Sequence, residues 1–97
     1  MSVTVTALFP TKAEESDKFH ETLVSVLPDT RAFDGCLGVT THRGLDDPSQ
    51  VLLIERWESR EQYLAYFQWR VETGLIEAIG PMLAAEPVTS FYANTQG

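Results

Sequence analysis

The sequence holds one cysteine, Cys36, so no disulfide can close within the chain and no cage of thiolates can hold a metal. A lone cysteine fits a reducing compartment. Basic residues are scarce: seven Lys and Arg stand against 14 Asp and Glu, a formal charge of −7, and Arg70 is the only cation after Glu61. Nucleic-acid surfaces need clustered Lys and Arg, so no nucleic-acid partner is expected, and anionic membrane surfaces are disfavoured for the same reason. No apolar run approaches the roughly 18 residues that cross a bilayer. The opening segment, MSVTVTALFP, has neither the basic nor the apolar stretch of a targeting signal. A cytoplasmic location is the expectation. The two histidines form no H-x-x-H or H-E-x-x-H pattern, and there is no G-x-G-x-x-G or Walker loop, so neither metal nor cofactor is expected. Apolar residues make up 43%, ordinary for a globular chain. A length of 97 residues predicts a single domain over 1–97. That is near the lower end for a self-sufficient core, which favours a partner chain.

What is present is an orderly succession of elements. Val3, Val5, Ala7 and Phe9 alternate with Thr4, Thr6 and Leu8, predicting a strand. Pro10 and Thr11 close it, and Thr11 is placed to cap the next element. Phe19, Leu23, Val26 and Leu27 share one face of a helix expected from about Lys12 to Leu27 and ended by Pro28, with Glu14, Glu15 and Asp17 well placed near its N-terminus. Asp34-Gly35 marks a turn, Cys36 to His42 a second strand, Arg43 to Gln50 a long hairpin turn, and Val51 to Trp57 a third strand. Ser59 opens a second helix, with Gln62 three residues on as in a capping box, running to about Thr73 and stopping at Gly74. Leu75 to Leu83 reads as a short helix broken at Gly80-Pro81, and Val88 to Asn94 as the last strand.

The order β-α-β-β-α-β predicts an α+β, ferredoxin-like fold, an antiparallel sheet with helices on one face. The third strand carries Val51, Leu53 and Trp57 on one face and Leu52 and Ile54 on the other. The last strand sets Val88 and Tyr92 against Phe91 and Ala93. Helices on one side bury only one of these apolar faces, so the other is expected to pack on the sheet of a second copy in a homodimer.

The segments Phe33-Asp34-Gly35-Cys36-Leu37-Gly38, Asp47-Pro48, Val51-Leu52-Leu53-Ile54-Glu55-Arg56-Trp57-Glu58-Ser59 and Glu61-Gln62-Tyr63 resemble the antibiotic biosynthesis monooxygenase domain. The resemblance covers nearly the whole chain in element order, with its local core from Gly35 to Tyr66. It implies a subunit that pairs into a dimeric α+β barrel and a small oxygenase working without a cofactor. The same superfamily holds haem-degrading enzymes, quinol and anthrone oxygenases and lactone isomerases. The haem-degrading branch relies on Asn, Trp and His. Trp57 matches its Trp, but the only Asn is Asn94, and the second helix reads Ala65-Tyr66 where many members have Ala-His. Anthrone-oxidising members are similar through a Trp followed six residues later by a Tyr, here Trp57 and Tyr63. The Asn just before their Trp is replaced by Leu53 and its apolar neighbours.

At 100° per residue Tyr63, Tyr66, Phe67 and Arg70 fall on one stripe of the second helix, with Leu64 and Val71 at its edge. With Trp57, expected as a catalytic residue that binds and polarises the substrate alongside Tyr63 and Arg70, they are expected to line a cavity between helix and sheet that suits a planar, oxygenated, anionic aromatic substrate. The plainer reading is a core stripe, with Arg70 reaching solvent or pairing with a Glu. Oxygenation without a cofactor needs a base that makes the substrate an electron-rich anion able to reduce O₂. His42, at the end of the second strand, and His20, on the edge of the first helix's apolar face, are the candidates. Glu55 is a third, with a paired structural carboxylate as its alternative. Cys36 reads as a small buried residue. The expected function is a dimeric, cofactor-independent monooxygenase acting on a phenolic, quinol or polycyclic aromatic substrate. A non-catalytic aromatic-binding or stress-linked dimer fits the same residues, as does an isomerase or cyclase acting on a small metabolite.

Overall fold

Alternation at the start of the chain produces β1 (Val3–Pro10) in the computed structural model, which describes residues 2–96. It pairs antiparallel with β3 (Gln50–Trp57) on one side and β4 (Val88–Ala93) on the other, and β2 (Cys36–Arg43) completes the sheet beyond β3. The strand order β2-β3-β1-β4 and the helices α1 (Ser16–Ala32), α2 (Arg60–Glu72) and α3 (Leu75–Ile79) make the ferredoxin-like arrangement. Val5, Ala7, Val51, Leu53, Glu55 and Trp57 are buried on the face under the helices. The opposite face presents Leu8, Leu52, Ile54, Val88 and Tyr92 in register across three strands, and among the described residues no helix packs over it. No helix among the described residues is long and apolar enough to cross a membrane.

Two local expectations are corrected. Thr11 does not cap a helix. Its hydroxyl and its backbone N–H both donate to the Ser49 carbonyl, at 2.6 and 2.9 Å, tying the end of β1 to the β2–β3 hairpin, and the first helix instead opens with a 3₁₀ turn over Ala13–Glu15. Pro28 does not end α1, which continues to Ala32. Proline removes the N–H that would reach the Val24 carbonyl, but Pro28 and Val24 both lie on the exposed side, where the loss costs less than in a buried helix. The turn beyond is held by tertiary contacts: Thr30 is buried against α2, and the Phe33 ring packs on Trp57, Tyr66 and Trp69.

Ser59 caps α2 as its position predicts, its Oγ accepting from the Gln62 N–H at 3.2 Å. Gly74 separates α2 from α3 at φ +89°, a left-handed conformation that a side chain would strain. Gly35, at φ +93° before β2, is doubly constrained, because a Cβ there would stand 2.5 Å from the Gln62 side chain.

Buried apolar residues form two clusters. Phe19, Leu23, Leu27 and Val51 anchor one, and Val5, Trp57, Tyr63 and Tyr66 the other. The space between α1, α2, α3 and the sheet is not filled.

Candidate active site

That space is a cavity of about 300 Å³, lined mostly by aliphatic and aromatic side chains from both clusters. Phe67, Gly80 and Pro87, which line it and are exposed, mark its mouth. A volume at the low end for small-molecule sites, with apolar walls and a few polar points, suits a compact ring system.

The polar points come from β3 and α2. Period-two alternation places Glu55 on the inner face between Leu53 and Trp57, and it is the only acidic residue in any of the four strands. It is 3% exposed. Its Oε1 accepts the Trp57 indole N–H at 3.0 Å, its one hydrogen bond. Among the described residues no fully buried side-chain polar atom lacks a partner, so the other carboxylate oxygen is not fully buried, and Glu55 lines the cavity. Burial pushes its pKa up from the ordinary 4.5 to about 7, the Trp57 hydrogen bond and the charge of Arg70 holding it down only in part.

Arg70 is 5% exposed on the buried stripe of α2. Its Nε donates to the Tyr66 hydroxyl at 2.9 Å, and its Nη2 to the Val26 carbonyl and the Thr30 hydroxyl, both at 2.9 Å. Thr30 and Tyr66 share a hydrogen bond of 2.7 Å, so the three side chains make a closed network between α1 and α2. The guanidinium lies over the Trp69 ring at 4.6 Å. None of these partners is a carboxylate: the ion pair among the described residues joins Arg43 to Asp17, at 2.9 Å. Nη1 has no partner among the described residues and so, like the second Glu55 oxygen, is not fully buried, and both residues line the cavity.

The phenols stay neutral. Burial raises the pKa of Tyr63, with the charge of Glu55 adding to it, and burial raises that of Tyr66 against the lowering bonds from Arg70 and Thr30. The Cys36 thiol is also pushed up by burial.

Tyr63, Tyr66, Phe67 and Arg70 thus line one cavity, and Leu64 and Val71, at the edge of their stripe, are exposed. Trp57 does not line it. It is wholly buried, its ring packed 5.1 Å from Tyr66 and 5.9 Å from Tyr63 and its N–H bonded to Glu55, so it supports three lining residues without bordering the cavity itself. The two histidines are also elsewhere. His42 pairs with Leu52 in the opposite face of the sheet, its Nε2 2.8 Å from the Thr40 hydroxyl, and His20 lies on α1 away from the lining. Strand parity points His42 away from the cavity, and His20, half-buried at the edge of the α1 apolar face one turn before Leu23, is not among the residues that line it. The carboxyl that does border the cavity is that of Glu55. Arg70 does not pair with a Glu as the plainer reading has it. Thr30, Thr89 and Trp69 also belong to the site or its walls without having been expected there. No group of three or more His, Cys, Asp or Glu side chains among the described residues is placed to hold a metal ion.

The sequence profile described as antibiotic biosynthesis monooxygenase matches residues 2–70. The chain belongs to that family. Solved structures agree in fold. A candidate antibiotic biosynthesis monooxygenase from Bordetella bronchiseptica is 18% identical, with a TM-score of 0.84 over 98% of each chain. One from Deinococcus radiodurans is 22% identical, with a TM-score of 0.83 over 100% of this chain and 95% of that one. A conserved protein from Methanosarcina mazei Go1 is 17% identical, with a TM-score of 0.88 over 98% of this chain and 94% of that one. No curated protein matches by sequence. Family membership supports a monooxygenase-like role, and members are generally dimeric. In this family member the arrangement offers one carboxyl poised between its two protonation states, one fixed cation, and apolar walls between them.

Proposed function

We propose that the protein is a cofactor-independent monooxygenase that oxidises a phenolic, quinol or polycyclic aromatic substrate with O₂. The observation that carries this is the buried Glu55 carboxyl bordering the same cavity as the unpaired Arg70 cation. Glu55, ionised, takes a proton from an acidic ring carbon or hydroxyl. Arg70 and the Tyr66 hydroxyl stabilise the resulting anion, and the apolar walls exclude water from it. The electron-rich anion reduces O₂, and recombination forms a hydroperoxide. At a ring CH₂ that intermediate collapses to a carbonyl: one oxygen atom stays on carbon, the O–O bond breaks, and the other oxygen leaves as water with the two hydrogens. Trp57 acts through Glu55 as a positioning residue, and Tyr63 supplies a neutral donor.

The working unit in this reading is a cytoplasmic homodimer of single-domain subunits. The Leu8, Leu52, Ile54, Val88 and Tyr92 face packs on its counterpart, since a contiguous apolar sheet face is stable only when covered. Oxygen consumption with anthrone and with a naphthohydroquinone, in wild type and in Glu55→Gln, tests the chemistry. Enzyme-dependent uptake that Glu55→Gln lowers by about 10²–10⁴ fits loss of a general base. Uptake unchanged in the variant removes Glu55 from the reaction. Substrate conversion at the same rate without O₂ makes the same base an isomerisation catalyst instead.

A further inference from the structure

Two opposite charges border this cavity, and no ion pair joins them among the described residues. Arg70 is buried with only neutral partners, and Glu55 is buried with a single neutral donor. In the empty site Arg70 carries its charge always, whereas Glu55 carries its own only part of the time near neutral pH. An anion that reaches Arg70 brings a second negative charge into a small, apolar space already holding a carboxylate. Two like charges in such a space cannot both persist.

We propose that an organic anion enters this cavity together with a proton, the anion pairing with Arg70 and the proton binding Glu55. This rests on the reading of the cavity as the substrate site and deepens it. Anion plus protonated Glu55 is the same charge state that proton abstraction from a neutral substrate leaves behind. A stable aromatic carboxylate therefore stands in for the deprotonated substrate, and the ligand class that binds best is a flat aromatic acid, favoured as pH falls.

The groups facing Glu55 permit this linkage and no competing one. From α2 it meets Arg70, Tyr63 and Tyr66. From β2 it meets Cys36, itself influenced by Arg31. Its β1 and β2 register partners, Val5 and Val39, do not titrate. Burial keeps the two phenols and the thiol neutral. Both histidines lie outside the lining and are unchanged in a Glu55 variant.

The test is calorimetric titration with 2-naphthoate and its neutral counterpart 2-naphthamide. Each is run at pH 7.5 in phosphate and in Tris, buffers of different ionisation enthalpy, and then from pH 6.5 to 8.5. The expected result is uptake of about half a proton or more per naphthoate at pH 7.5 and a loss of affinity approaching tenfold from pH 7.5 to 8.5. Naphthamide takes up none, and Glu55→Gln binds naphthoate without uptake and without the pH slope. Equal enthalpies in the two buffers overturn the proposal. So does naphthamide binding as tightly as naphthoate at pH 6.5, and so does absence of naphthoate binding at millimolar concentration. If Glu55→Gln does not fold, the two-buffer comparison on wild type decides alone. Oxygen takes no part in these titrations, so a failed oxygenase assay leaves the linkage standing, and a failed linkage leaves turnover to be judged separately.

Discussion

Replacing Glu55 by glutamine should make the protein more stable while disabling it, and the gain should depend on pH. Holding a buried carboxyl at about 7 rather than 4.5 means that ionising it is harder in the folded chain than in the unfolded one. The sign follows from proton counts. Below about pH 4.5 both states carry the proton and no penalty exists. Between 4.5 and 7 the unfolded chain loses its proton first, and stability falls as pH rises. Above about 7 both are ionised and the full penalty, about 3 kcal/mol, is in place. The amide introduced by Glu55→Gln keeps an acceptor for the Trp57 N–H and carries no charge, so the variant escapes that penalty. Denaturant titrations of wild type and Glu55→Gln at one fixed protein concentration should therefore differ by less than about 1 kcal/mol at pH 5. At pH 8 the variant should be ahead by about 2–3 kcal/mol. A gap of the same size at both pH values, or a variant less stable than wild type at pH 8, would refute the argument that burial strains this carboxylate.

Four other outcomes follow from the same geometry. Trp57→Phe keeps the ring in place but removes the one donor to Glu55, so the midpoint of the pH–activity profile should move upward by about one unit, the worth of a charge-assisted hydrogen bond. Arg70→Gln should weaken naphthoate binding by about 1.5–3 kcal/mol with little effect on naphthamide, and should also lower the melting temperature, because the Val26 carbonyl and the Thr30 and Tyr66 hydroxyls lose their common donor. Gly35→Ala should destabilise by more than the roughly 1 kcal/mol of a left-handed glycine alone, since its methyl also meets Gln62, and equilibrium unfolding measures it against Gly74→Ala, where nothing lies within 4 Å. Ile54→Lys, at the centre of the uncovered sheet face, should give a monomer by light scattering where wild type gives a dimer.

Element order, strand parity and the α2 stripe were legible because each rests on a simple period, two along the strands and 3.6 along the helix. The parity of β3 already put Glu55 on the inner face beside Leu53. What composition and spacing do not reveal is how far burial moves a pKa. Judged by ordinary values, the histidines look like the neutral-pH bases, whereas neither His20 nor His42 borders the cavity and burial lifts Glu55 to about 7. Thr30 was illegible for a different reason. Reading Pro28 as the helix end leaves Thr30 in a loop, and only the packing of α1 against α2 shows that the helix goes on and brings its hydroxyl to Arg70. Trp57 was correctly placed on the inner face, but a strand pattern says nothing about which inner residues border a void and which stand behind its wall.

The hollow between the two clusters makes the ligand a missing part of the core. A small domain that leaves about 300 Å³ open under its helices forgoes the contacts its lining side chains would otherwise make with one another. Whatever ring system occupies the space restores those contacts, and a ligand at a hundred times its dissociation constant adds about 2.7 kcal/mol to the folded state. For a chain this short that is a large share of its total margin. In the proposed reading, then, an occupied site makes the fold harder to open, and proteases that act on the opened chain clear the empty protein faster than the loaded one.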